Sequence, residues 1–115
     1  MTPITKAISI RQPWAELIMR GLKRREYRPR RTNIRERVYI YASLTPANDP
    51  PGWRKTGHEP GELPTGVIVG SVEIVGCRVD GNLDEFAYEL ANPRRARTHL
   101  KPKNQPQPGF GRPKF

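Results

Sequence analysis

The sequence has few of the residues that metals and disulfides require. It holds one cysteine, Cys77, and two histidines, His58 and His99, in 115 residues. A single thiol excludes an internal disulfide and a cysteine-rich zinc site. The two histidines lack the spacing of metal ligands or of a catalytic dyad, and both read as surface residues. No metal and no cofactor is expected. Apolar runs are short: none approaches the ~18 residues of a membrane span. Met1 to Lys6 lacks the apolar centre of a secretory signal. These absences predict a cytoplasmic protein with no membrane partner. With 35% hydrophobic residues, a chain of this length builds one domain whose core does not run its whole length.

Negative charge is scarce too. There are 11 acidic residues against 21 Lys and Arg, a formal charge of +10. The excess is concentrated. Residues 20–37 hold nine basic residues against Glu26 and Glu36, and residues 94–115 hold seven and no acid. Two such blocks predict a surface for a polyanion. Each phosphate neutralised along a nucleic-acid backbone releases a counterion, so clustered cations gain affinity. Arginine, as in the adjacent pair Arg30 and Arg31, can grip a phosphate through two bonds and stack on bases. A lipid headgroup, a nucleotide or plain solvation of a basic face are the competing readings.

Residues 6–10 alternate as a short strand, with Ile8 and Ile10 on one face. Pro13 suits the first position of a helix. Trp14, Leu17 and Ile18 follow at the spacing of one buried stripe, and Gly21 can end the helix after about two turns. Residues 37–43 are the next strand, with Val38, Ile40 and Ala42 on one face and Tyr39 and Tyr41 on the other. Segment 46–64 contains five prolines and three glycines and reads as a loop with little regular structure. Residues 66–79 are β-branched and apolar, a long strand in which Gly70 and Gly76 mark bulges or a sharp bend. Residues 82–90 fit two patterns. One is a short helix capped by Asn82 and Glu85 and carrying Leu83, Phe86, Ala87 and Leu90. The other is a strand alternating Phe86, Tyr88 and Leu90. Asn92-Pro93 ends either. Residues 101–115 form a basic, proline-rich tail. Phe110 and Phe115 are its only large apolar anchors should it pack on the domain of residues 1–100. Short strands with few helices predict a mainly β, α+β fold: a small β-barrel capped by a helix.

The stretch Ser9-Ile10-Arg11-Gln12-Pro13-Trp14-Ala15, followed by Gly21-x-Lys23-x-x-Glu26-x-Arg28, resembles the ASCH domain family. Glu73 in Ser-Val-Glu-Ile is similar to that family's glutamate on a central strand. Tyr88-Glu89-Leu90-Ala91-Asn92-Pro93-Arg94 resembles its later strand, which favours the strand pattern for 86–90. A weaker likeness surrounds Pro108-Gly109-Phe110. Segment 46–64 has no counterpart. The resemblance implies a barrel related to the PUA fold and, mainly, RNA binding. It also brings in members described as ribonucleases and a bacterial branch that hydrolyses the amide of 4-acetylcytidine with a Lys, a Thr and a Glu. Lys23 and Glu73 match that Lys and Glu. No Thr matches, and Glu26 stands three residues after the lysine.

The residues themselves suggest where a ligand would sit. Lys23 and Glu26 point apart if their segment is extended and meet if it turns. Lys23 beside Glu73 could share a proton and serve as a nucleophile or base; Lys23, Glu26 and Arg28 could equally be an ion-pair network that fixes the strand after the helix. Glu73, between Val72 and Ile74, needs water or a partner such as an arginine. Gln12 and Arg11 at the helix start could bond an anion or a base, and Trp14 either stacks on a base or belongs to the core. Trp53, beside Arg54 and Lys55, is either a base-stacking contact or a loop anchor. Tyr39, Tyr41, Ser9 and Ser43 are minor candidates, and Cys77 reads as a small hydrophobe. Three functions follow. The first is an RNA- or nucleotide-binding module using Arg11, Gln12, Trp14, Lys23, Glu26, Arg28, Arg30, Arg31, Trp53 and Glu73. The second is a small hydrolase on a modified nucleoside, or a ribonuclease, with Lys23, Glu73 and Glu26 catalytic. The third is an interaction domain whose basic tail docks on an acidic protein.

Overall fold

A computed structural model describes residues 2–82, 84–104 and 110–115. Leu83, in the helical pattern above, and Pro108-Gly109, in the tail likeness, lie outside the described residues. In chain order the elements are β1 (Ala7–Ile10), α1 (Trp14–Met19), β2 (Arg25–Arg28), β3 (Arg37–Ala42), α2 (Pro50–Thr56), β4 (Val67–Asp80), β5 (Glu85–Leu100) and β6 (Phe110–Gly111). The fold is mainly β with two short helices. None of the described helices is long and apolar enough to cross a membrane.

The six strands form one sheet in the order β2-β5-β4-β3-β1-β6. All neighbours are antiparallel except β1 and β3, which run parallel with Ile8 beside Ile40. The expected barrel is not closed. β2 has four residues and β6 two, each paired on its inner side, and among the described residues no ladder joins the two ends. Side chains bridge them instead. Arg28 on β2 donates from Nη2 to the Ser9 carbonyl on β1 at 2.6 Å. Tyr88 on β5 stacks on Phe110 of β6 with centroids 5.9 Å apart. The curl comes from the long β4–β5 ribbon, whose register shifts near Gly70, Ser71 and Gly76. Register shifts of this kind, as at a bulge, bend a strand and raise its twist.

Inside the curl lie Ile8, Ile10, Val38, Ile40, Val72, Ile74 and Leu90, with Ile18 and Met19 of α1 packed on them. The predicted stripe of α1 therefore faces the core, and Gly21 closes the turn after it with φ +74°. On the other face, Ala7, Tyr41 and Ile68 form a smaller cluster backed by Tyr39. Phe115 meets the Tyr39 ring edge-on.

Two sequence expectations change. Segment 46–64 is not a plain loop, because it contains α2. Asp49 precedes Pro50 and Pro51, which occupy the first turn, where their missing N–H groups cost nothing. Gly57 ends the helix at φ +76°. Residues 85–90 are strand, and β5 runs through Asn92-Pro93 to Leu100 instead of stopping there. Asn92 adopts φ +53°, one of few residue types that tolerate it. The Asn92 carbonyl accepts a bond from Arg37 Nη2 at 3.0 Å, so the kink is held and the ladder resumes beyond it.

Candidate functional site

Between β2, at one end of the sheet, and β1 with the turn into α1, a cleft of about 450 Å³ opens. β1 and the turn into α1 supply Ser9, Arg11 and Trp14. β2 supplies Glu26, Tyr27 and Arg28. β3 and the segment after it supply Tyr41, Ser43, Leu44 and Thr45. The Gly-x-Lys-x-x-Glu-x-Arg run builds the charged wall. Gly21 turns the chain after α1, and β2 then pairs with β5, placing Glu26 opposite Tyr88 and Arg28 opposite Phe86. Alternation puts Glu26 and Arg28 on one face of β2.

Glu26 is 8% exposed. Its Oε2 accepts from Arg28 Nε at 3.1 Å and Nη2 at 2.9 Å, and its Oε1 lies 3.4 Å from Lys23 Nζ. Lys23 and Glu26 therefore meet across the turn. Oε2 is filled by its two bonds from Arg28, and Oε1 keeps a further lone pair for an incoming donor. Arg28 is anchored twice, on Glu26 and on Ser9. Arg11 is exposed and makes no ion pair among the described residues. Trp14 is half-buried, and its indole Nε1 donates to Asp49 Oδ2 at 2.7 Å. The ring thus belongs partly to the core and partly to the cleft. Burial pushes the Tyr41 phenol up, so it remains a neutral hydroxyl at physiological pH.

Other candidates lie elsewhere. Gln12 is 1% exposed, and both ends of its amide are engaged. Nε2 donates to the Pro64 carbonyl at 3.0 Å, and Oε1 accepts from the Glu16 N–H at 3.0 Å. It locks the start of α1 to the segment before β4. Trp53 is 6% exposed and donates to the Ala47 carbonyl at 2.9 Å, so it anchors α2. Glu73 has Arg37 at 3.1 Å. Its neighbours Val72 and Ile74 point into the core, which turns Glu73 to the outer face. No contact joins it to Lys23 among the described residues. Arg30 and Arg31 are exposed just beyond β2, with the Arg31 guanidinium over the Phe86 ring at 5.3 Å. The Arg30 carbonyl accepts from the Tyr88 hydroxyl at 2.6 Å. Among the described residues no cluster of His, Cys, Asp and Glu is placed to hold a metal ion.

Sequence reading did not single out Leu44, Thr45 or Asp49. They reach the cleft or Trp14 through chain reversals that no local pattern encodes. It also passed over Glu16, which sits buried in α1 and binds Arg20 at 2.7 Å and Arg95 at 2.8 Å. Burial alone would push the Glu16 carboxyl up. The bonds and charges of Arg95 and Arg20 together outweigh it and hold the carboxyl below its ordinary value. This triad ties α1 to β5 behind the cleft.

A family model, the ASCH domain, matches residues 8–103. The span takes in β2 to β5, most of β1 and every residue of the cleft, and the chain belongs to the ASCH domain family. No curated protein matches it.

Proposed function

We propose that this ASCH domain binds RNA or a nucleotide, and that the cleft between β2 and β1 receives a nucleobase. One observation carries the reading: an aromatic ring, a carboxylate and a guanidinium, Trp14, Glu26 and Arg28, line one cleft of about 450 Å³. That volume lies in the usual range for small-ligand sites, roughly 300–1,000 Å³. Trp14 offers a stacking surface. Glu26 accepts from an exocyclic amine, as carboxylates do from cytosine N4, and Arg28 donates to ring nitrogen or carbonyl acceptors. Cytosine, adenine and guanine carry that pairing of amine and acceptor. Arg11 and the exposed Arg30 and Arg31 supply positive charge for the phosphates. The generally RNA-binding character of PUA-like domains agrees with this assignment.

The two tryptophans provide the test. Trp14 lines the cleft, whereas Trp53 is buried against Ala47. Titration with CMP or AMP should change the intrinsic fluorescence, and the change should survive in Trp53→Phe but vanish in Trp14→Phe. Glu26→Gln should weaken binding roughly 10- to 100-fold, the span of one charge-assisted hydrogen bond. Affinity should fall as salt rises. A nucleotide response that ignores both Trp14 and Glu26, or none at all, would refute the proposal.

A further inference from the structure

A second, larger groove adjoins the cleft, with a volume of about 810 Å³. Trp14 and Tyr27 line both depressions and so form the wall between them. That wall is rigid. The Trp14 indole is pinned by Asp49, and Lys23 Nζ sits 5.6 Å from the centre of the Tyr27 ring. The second groove has an apolar floor that includes Leu22 and Val75, which are 64% and 54% exposed. Isolated exposed apolar side chains are common, but here they line one groove together with Lys23, Arg24, Arg25 and Lys55. Arg25 and Lys55 are exposed and form no ion pair among the described residues. The two acids that line the groove are both engaged, Asp49 by Trp14 and Glu89 by Arg78 at 3.2 Å.

An apolar, aromatic-walled trough lined by an excess of cations matches the chemistry of a single strand, whose bases want stacking surfaces and whose phosphates want cations. Building on the cleft assignment above, we propose that the ligand is a single-stranded oligoribonucleotide. One base lies in the cleft, the chain crosses the Trp14–Tyr27 wall, and the next nucleotide lies in the second groove with its phosphate near Arg25 and Lys55. A duplex does not suit this path, because its bases are stacked on one another and unavailable to the wall.

The test compares CMP with oligocytidylates of two and four nucleotides. The wild-type chain should bind the tetranucleotide at least roughly ten-fold more tightly than CMP, within the 5- to 150-fold that one stacked base contributes. The double variant Arg25→Gln, Lys55→Gln changes only exposed side chains. It should bind CMP as before, keep only part of the gain from added nucleotides because the stacking wall remains, and lower the log–log salt slope for the tetranucleotide by about 1.4, two cations at ~0.7 each. A wild-type chain that binds CMP but gains nothing from added length overturns this path alone. So does a double variant that keeps the full gain. A chain that binds neither CMP nor the tetranucleotide overturns the cleft assignment as well.

Discussion

The bond between Glu26 and Arg28 should stabilise the fold as well as shape the cleft, and the size of that effect follows from its surroundings. The Glu26 side chain is 11% exposed and that of Arg28 20%. Two N–H groups of Arg28 converge on one carboxylate oxygen, at 2.9 and 3.1 Å. Exposed pairs contribute about 0.2–1 kcal/mol, whereas removing one partner of a buried pair costs about 3–5 kcal/mol. With both groups mostly shielded and Lys23 also at hand, a coupling energy of about 2 kcal/mol is expected from a double-mutant cycle of Glu26→Ala and Arg28→Ala. Urea unfolding is the assay. With m near 1.5 kcal/mol/M, 2 kcal/mol moves a midpoint by about 1.3 M. Arg28→Ala should cost more than Glu26→Ala, because it also removes the donor to the Ser9 carbonyl. The Arg78–Glu89 pair, with Arg78 72% exposed, is the internal control and should show a coupling under about 0.5 kcal/mol. If the Glu26–Arg28 cycle gives a value as small as the control, the pair is a surface ornament and the cleft wall is not held as described.

Gly70→Ala should destabilise by about 1–3 kcal/mol. Its new methyl would press on the Arg94 carbonyl oxygen of the neighbouring strand and on the Met19 sulfur. The sulfur can move but the strand cannot. A thermal melt followed by circular dichroism should shift down by roughly 5–15 °C, and an unchanged melt would show that β5 yields there. Glu16 governs an acid-sensitive step. Its carboxyl is held below the ordinary value of 4.5, so as pH falls the unfolded chain takes up the proton first. The stability it contributes is complete above that value and drains away as pH drops through the folded-state one. Glu16→Gln should flatten this part of the stability profile below about pH 4.5, and a slope identical to wild type would refute the assignment.

Much of this was legible in the residues, and the failures are local. The alternation in β1 and β3 sorted Ile8, Ile10, Val38 and Ile40 onto one face because a half-buried strand has no other way to hide them. The i, i+3, i+4 stripe of α1 was readable for the same reason. Helix α2 was hidden by composition: counting Pro and Gly obscured their positions, although Asp49-Pro50-Pro51 and Gly57 are the start and stop of a short helix. Asn92-Pro93 looked like a terminus because proline cannot donate to a ladder. The strand survives because Asn92 turns at positive φ and Arg37 holds its carbonyl. Within the cleft, the Lys23, Glu26, Arg28 run was visible as spacing. The partners chosen by Glu73 and Gln12 were not, since which arginine or carbonyl meets a side chain depends on strand pairing 36 or 52 residues away.

Because the circumference of the sheet is completed by a guanidinium and a pair of stacked rings, its two rims are fastened by a latch and not by a weld. Parting them breaks the bond from Arg28 to Ser9 and slides Tyr88 off Phe110, while every backbone ladder stays whole. A hydrogen bond contributes about 0.5–1.5 kcal/mol, and a ring pair a similar amount beyond the area it buries, so side chains and not ladders set what it costs to part the two rims.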